Sequence, residues 1–272
     1  ACNVASNICS LGGKAEVVGV VGTEGRGRML MDLLRAKKIG VAGIVKDPSR
    51  PTTLKTRVVA HHQQVVRIDR EELKEVAAKI RKQVLVYIKK RIHHCDAICI
   101  EDYGKGLLTA DLVQNIVSVA KAAGKVISVD PKEDHLSFYR GATTMTPNHH
   151  EASKLAGIPI SDDQALYKVG SKLLKYLSCE NILITRGENG MCLFQKRYKP
   201  VKIPTLAQDV FDVSGAGDTV IGTYTLSLAL GASPVESAHL ANCAAGIVVG
   251  KVGTATVGQD ELISKLKQIF QS

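Results

Sequence analysis

The 272-residue chain is 45% hydrophobic, enough to bury the core of one large α/β domain, and with no Trp and four Phe that core must be aliphatic. Its net charge of +10 is spread along the chain beside acids, as in Arg70-Glu71-Glu72-Leu73-Lys74-Glu75. That spread argues against a nucleic-acid partner and leaves a solvated exterior or an electropositive cleft for anionic substrates. No apolar run approaches the roughly 18–20 residues of a membrane span, and no basic-then-apolar leader opens the chain. Seven scattered cysteines suit a reducing cytoplasm. Cys95 and Cys99 with His93 and His94 have the residue types of a zinc site, but Cys99 lies in an apolar run that reads as a buried strand, and no zinc is assigned.

In chain order, Asn3, Ser6, Asn7 and Ser10 fall at helical spacing, and Leu11-Gly12-Gly13 ends that first helix. Residues 14–21 read as a strand, 22–27 as a turn and 28–38 as a helix. Residues 51–70 carry two alternating runs with His61-His62-Gln63 at the turn, a hairpin with one apolar and one basic or polar face. Arg57 and Arg67 project from it, either as exposed strand charges or as cations for a phosphate. Residues 71–91 predict one long amphipathic helix. A buried strand over 97–100 ends at Glu101-Asp102-Tyr103-Gly104-Lys105-Gly106, and a second over 126–129 ends at Asp130-Pro131-Lys132. Polar residues at the carboxyl ends of parallel strands sit where α/β folds place ligands, which makes Asp102, Lys105, Asp130 and Lys132 candidates. Thr109 caps the helix between the two strands. A further strand runs into Pro147-Asn148-His149-His150-Glu151, where Asn148 and Glu151 either face one ligand or form a capping box. Strand 181–185, a turn at 186–190 and a hairpin over 191–199 follow. Ser233-Pro234-Val235-Glu236 starts a helix with Pro at its first position. The alternation of strands and helices specifies a single doubly wound α/β domain without repeats or linkers.

The most informative stretch is Asp212-Val213-Ser214-Gly215-Ala216-Gly217-Asp218-Thr219, followed by a small, apolar helix that Gly231 closes. Backbone N–H groups of Gly215, Ala216 and Gly217 at that helix N-terminus suit an anion such as phosphate. Asp218 would repel the anion unless it takes a proton from an attacking hydroxyl; otherwise it merely complements the helix dipole. Other nucleotide machinery is missing. The approach to a P-loop at 246–251 is one residue short and lacks Ser or Thr after Lys251, and a dinucleotide fingerprint would need glycine where Val220 stands.

Residues 212–218 resemble the Asp-Thr-Thr-Gly-Ala-Gly-Asp signature of the PfkB (ribokinase-like) carbohydrate kinases, with Ser214 in place of Thr. The start of the chain resembles that family's amino-terminal signature, but its Gly-Gly pair and the preceding strand are not present before Ala1. The chain is therefore expected to be an excised or partly ordered fragment of a kinase domain spanning 1–272. The resemblance implies a ribokinase-like, mostly parallel sheet flanked by helices, with a small β lid from segments of about 14–22 and 51–70. It implies that Asp218 is the catalytic base, that Gly215, Ala216 and Gly217 form the anion hole, and that Asn3 lies near sugar hydroxyls. Asn148 and Glu151 would serve nucleotide phosphates and, indirectly at Glu151, Mg²⁺. Thr185, Gly187, Asn242, Lys251 and Gly253 are the remaining nucleotide-side candidates.

The stretches around Arg57, Arg67, Asp102 to Gly106, and 244–254 resemble one branch, the D-glycero-β-D-manno-heptose 7-phosphate kinases. The implied reaction moves the γ-phosphoryl group of ATP to the anomeric hydroxyl. Arg57, Arg67, Asp102, Lys105, Asp130 and Lys132 would attend the sugar phosphate. Mg²⁺ is an implied cofactor, and a monovalent cation such as K⁺ an optional one. A fused nucleotidyltransferase domain and a homodimer are both open. A sibling kinase for another sugar is the alternative, and a non-catalytic polyanion-binding module a more distant one.

Overall fold

The computed structural model describes residues 1–60, 63–207 and 210–271, so the expected turn residues His61 and His62 lie outside the described residues. The elements run α1 (Cys2–Ser10), β1 (Glu16–Val21), α2 (Gly25–Ala36), β2 (Gly40–Lys46), β3 (Leu54–Ala60), β4 (Gln63–Arg70), α3 (Ala78–Arg91), β5 (Ala97–Glu101), α4 (Ala110–Ala122), β6 (Val126–Asp130) and β7 (Thr144–Met145). They continue with α5 (His149–Ala156), α6 (Asp163–Leu177), β8 (Asn181–Thr185), β9 (Met191–Gln195), β10 (Val201–Ile203), α7 (Ala216–Ala229), α8 (Pro234–Val248) and α9 (Gln259–Gln271).

A six-stranded sheet has the order β10-β9-β8-β7-β6-β5, with β5 to β8 parallel and β9 and β10 antiparallel. The pleat sends alternate side chains to opposite faces. Ile182 and Ile184 of β8 therefore join a core with Leu112, Val113 and Ile116 of α4 and Leu166, Val169 and Leu173 of α6. Leu183, between them, faces the other way and packs with Val220 and Tyr224 of α7 and Ala238 and Ala241 of α8. Burial on both faces explains why these strands read as continuous apolar runs. It also fixes α7 against β5 and β6, so that its first turn meets their carboxyl ends.

Two small sheets stand apart from the large one. Strands β1 and β2 pair in parallel, and β3 and β4 form the antiparallel hairpin, in which Arg57 lies directly opposite Arg67. Helix starts follow local chemistry. Thr109 accepts from Leu112 N–H, and both Asn148 and Ser233 build complete capping boxes with Glu151 and Glu236.

Three boundaries depart from expectation. Helix α2 starts at Gly25, inside the expected turn, because Glu24 already accepts from Gly27 N–H. The return strand of the second hairpin lies at 201–203, past the expected 199. The long helix expected over 71–91 starts only at Ala78 and runs to Arg91. Residues 71–77 spend their hydrogen bonds on tertiary partners: Val76 N–H donates to Gly106 O at 2.8 Å, and Arg50 donates to the carbonyls of Lys74 and Lys105. Val76 itself is buried.

This junction requires Gly106. Its φ is +77°, and a Cβ there would overlap the Lys74 carbonyl oxygen. The substitution Gly106→Ala is expected to destabilise the fold by about 2–4 kcal/mol, combining left-handed strain with the overlap. Urea unfolding measures this, and a loss below about 1 kcal/mol would mean that the 71–77 segment is not held as described.

Candidate active site

The turn before α7 is shaped by its own acid. Asp212 accepts from Ser214 N–H at 2.8 Å with one oxygen and from Gly253 N–H at 3.0 Å with the other. Those hydrogen bonds, from Ser214 first, hold its carboxyl below the usual range. Gly215 follows as the N-cap with φ +85°, and a Cβ there would lie 2.7 Å from Asn3 Nδ2. Both facts demand glycine. Ala216 N–H donates to Val213 O at 3.2 Å. That bond closes the turn, while Gly215 and Gly217 line the cavity.

Asp218 stands in the first turn of α7, its Oδ2 accepting from Asn3 Nδ2 at 2.8 Å. It faces two further acids. Glu101 and Asp130 are register partners at the ends of the parallel strands β5 and β6, hence on one face of the sheet. One carboxylate oxygen from each of Glu101, Asp130 and Asp218 lies within 4.8 Å of the others. The Glu101 side chain is 3% exposed, with Cys99 Sγ donating to it at 3.3 Å and Tyr103 OH at 3.3 Å. Burial, reinforced by the neighbouring acids, pushes Glu101 up and Asp130 up to about 8.

A cavity of about 200 Å³ is lined by Asp130, Thr146, Asn148, Glu151, Thr185, Gly215, Gly217 and Asp218. It joins candidates scattered over the last half of the chain. The capping and ligand readings of Asn148 and Glu151 coexist. Asn148 Oδ1 accepts from His150 and Glu151 N–H, and Glu151 Oε2 accepts from Asn148 N–H at 2.8 Å, while both side chains still border the cavity. Burial raises the Glu151 carboxyl, opposed first by the hydrogen bond from Asn148 N–H and then by the charge of Lys132.

Other candidates are placed elsewhere. Asp102 is buried and used by its own neighbourhood: it accepts from His135 Nδ1 and Tyr139 OH at 2.7 Å each and from Gly104 N–H at 2.8 Å. Asn242 is buried and donates to Pro204 O at 2.7 Å. Lys251 holds Thr256 O and Glu261 across its own loop. Gly253 and Gly187 are left-handed turn residues, the former tied to Asp212. Lys105 pairs with Glu71 at 2.5 Å and Arg67 with Asp69 at 2.8 Å, whereas Arg57 is exposed on the hairpin. The stem of Lys132 crosses Gly104, where a Cβ would lie 3.3 Å from its Cε.

Glu101 and Thr146 belong to the site and were not singled out from sequence. The usable signal for Glu101 was the period of two, which puts it on the same face as Cys99 and opposite to Asp102.

The acid cluster makes stability depend on pH. A carboxyl whose folded value is raised costs nothing below its ordinary value near 3.8 and its full amount above about 8. Asp130→Asn should therefore raise the thermal midpoint at about pH 8.5 and leave it nearly unchanged at about pH 4. An equal shift at both pH values, or a lower midpoint at the higher one, would contradict the burial of like charges.

Residues 1–261 match the model of the pfkB family carbohydrate kinases. Among curated proteins, the chain is 45% identical over 265 residues to the bifunctional protein HldE of Desulfatibacillum aliphaticivorans, covering 97% of this chain and 54% of that protein. It is 43% identical over 264 residues to the HldE of Geobacter sulfurreducens, with the same coverage of each. The chain thus spans about half the length of the curated relatives it matches. Among solved structures, Arabidopsis thaliana ribokinase complexed with ribose and ATP superposes with a TM-score of 0.80 at 18% identity, over 98% of this chain and 86% of that one. Phosphofructokinase-2 from Escherichia coli, in complex with potassium, gives a TM-score of 0.81 at 18% identity over the same shares. The fold is ribokinase-like, and the chain belongs to the pfkB family of carbohydrate kinases.

Proposed function

We propose that this chain transfers the γ-phosphoryl group of ATP to the anomeric hydroxyl of D-glycero-β-D-manno-heptose 7-phosphate. The product would be the 1,7-bisphosphate, a precursor of ADP-heptose for the lipopolysaccharide core. The observation that carries this reading is the single cavity uniting Asp218, the Gly215 and Gly217 turn, Asn148 and Glu151. Similarity to two-function HldE proteins over nearly the whole chain supports the choice of sugar.

In this reading Asp218 takes the proton of the attacking hydroxyl, and the Gly215 and Gly217 N–H groups face the charge that develops on the transferred group. Asn3 donates to Oδ2 of Asp218 and orients the carboxylate, with Oδ1 as the proposed proton acceptor. Lys132 and the hairpin cations would balance the substrate phosphates. The carboxylates of Asp130 and Glu151 on the cavity fit Mg²⁺, a hard cation that prefers oxygen ligands and retains waters. Glu151 would hold it through water, and bound Mg²⁺ would neutralise charge on the ATP phosphates. A monovalent cation such as K⁺ remains an expectation of the family resemblance.

We further propose a cytoplasmic location, where ATP is available; no helix among the described residues is long and apolar enough to cross a membrane. A nucleotidyltransferase half in the full-length protein would account for the length of the relatives. The exposed apolar residues Val65, Val66 and Ile68 on the hairpin favour a homodimer.

Asp218→Asn should leave ATP binding intact and lower kcat by roughly 10²–10⁴-fold, as expected for loss of a positioned base. Retention of more than about a tenth of the rate, a barrier change under about 1.4 kcal/mol, would remove Asp218 from the mechanism.

Among sugars assayed with ATP, heptose 7-phosphate should exceed its unphosphorylated form in kcat/KM by about 10- to 100-fold, the worth of one charge-assisted contact. Arg57→Ala should narrow that gap. Equal kcat/KM for both sugars would favour a sibling kinase of the same family.

A further inference from the structure

Helix α1 carries two asparagines one turn apart, and their amides form a closed circuit with the start of α7. Asn7 is fully buried. Its Nδ2 donates to Asn3 O at 3.0 Å, and its Oδ1 accepts from Thr219 Oγ1 at 3.1 Å. Thr219 is itself fully buried and follows Asp218 directly. Asn3 Nδ2 then donates to Asp218 Oδ2 at 2.8 Å. The circuit runs from Asp218 through Asn3, Asn7 and Thr219 and returns to Asp218 along the backbone.

A buried amide is costly unless both its ends are bonded, and an apolar residue would have packed α1 on α7 without that cost. Asn7 meets the requirement with two bonds, one to the backbone carbonyl of Asn3 within α1 and one to Thr219, the residue that follows the acid. Gly215 completes the arrangement, since a Cβ there would stand 2.7 Å from Asn3 Nδ2 and push that amide aside. The amide engages one lone pair of Oδ2 and orients the carboxylate, which leaves Oδ1, accepting from no protein group among the described residues, as the better-placed proton acceptor.

We infer that Asn3 and Asn7, locked by Thr219, are positioning residues that hold the Asp218 carboxylate in one rotamer with a single oxygen presented to the attacking hydroxyl. The inference rests on Asp218 acting as the base. It gives Asn3 a role other than reading the sugar hydroxyls.

The test measures kcat and KM of the full-length protein with heptose 7-phosphate and ATP. Asn3→Ala and Thr219→Val are each made in the wild-type and in the Asp218→Asn background. Thr219→Val keeps the buried shape and deletes the hydroxyl, whose one proton is shared between Asn7 Oδ1 at 3.1 Å and Gly215 O at 3.0 Å, and thermal unfolding confirms that each variant is folded. Asn3→Ala should lower kcat by about 10- to 100-fold, the range for a hydrogen bond to a charged group, and move the sugar KM by less than about threefold. Thr219→Val should lower kcat by about three- to tenfold with KM steady, the worth of a neutral hydrogen bond. In the Asp218→Asn background neither substitution should lower the rate further, because each acts through the missing carboxylate.

A raised sugar KM with kcat held, an equal loss in both backgrounds, or an unchanged kcat for folded Thr219→Val overturns the inference while Asp218 stays the base. An Asp218→Asn variant that keeps more than about a tenth of the rate overturns the base assignment instead, and the inference with it.

Discussion

Three carboxylates confined within 4.8 Å of one another, two of them largely buried, form the constraint on which the rest of this structure depends. Like charges so placed repel strongly, and burial adds to the cost of ionising them. Their positions are nevertheless fixed by the main architectural contacts. Parallel pairing of β5 and β6 sets Glu101 beside Asp130, and the packing of α7 on both strands brings in Asp218. Partial compensation comes from the positive end of α7 and from the Asn3 amide. Burial and the neighbouring acids push the Asp130 carboxyl up to about 8, and the rest of the repulsion is uncompensated.

On the proposed reading, that unrelieved charge has a use. An acid edge facing an amide-lined helix terminus is a poor place for a free phosphate and a good one for a phosphate accompanied by a divalent cation. The hairpin is organised on the same principle with the signs exchanged. Lys55 pairs with Asp69 and Glu71, Arg67 with Asp69 and the neighbouring Lys105 with Glu71, so these cations are held in place by acids, while Arg57 is exposed. A substrate phosphate reaching them would compete with carboxylates, which favours a strongly charged ligand over a neutral sugar.

Much of this was legible in the sequence where local chemistry decides the outcome. The Asp212 to Thr219 turn, the capping boxes at Asn148 and Ser233 and the strands around Ile98, Ile127 and Leu183 all follow from short-range rules, although β5 is a half-buried edge strand where burial was expected. What stayed hidden depends on long-range partners. Glu101 and Asp102 look alike as strand-end acids, and only the direction of the pleat sends the first to Asp218 and the second to His135 and Tyr139. Residues 71–77 have a helical composition, yet they bond to Gly106 and Arg50 from elsewhere in the chain. Asn242 and Lys251 have the polar ends of ligand-binding residues and instead satisfy nearby backbone carbonyls. The bond from Ala216 N–H to Val213 O reflects the tightness of one turn, which composition does not specify.

The central claim is that Asp218 and the α7 terminus direct phosphoryl transfer to one particular hydroxyl. Phosphorus NMR of the full-length protein's reaction of heptose 7-phosphate with ATP and Mg²⁺ tests it most directly. The account predicts ADP formed one for one with a new phosphate ester on the anomeric carbon, its phosphorus coupled to the anomeric proton. ADP accompanied only by inorganic phosphate, or an ester on any other hydroxyl, would contradict it.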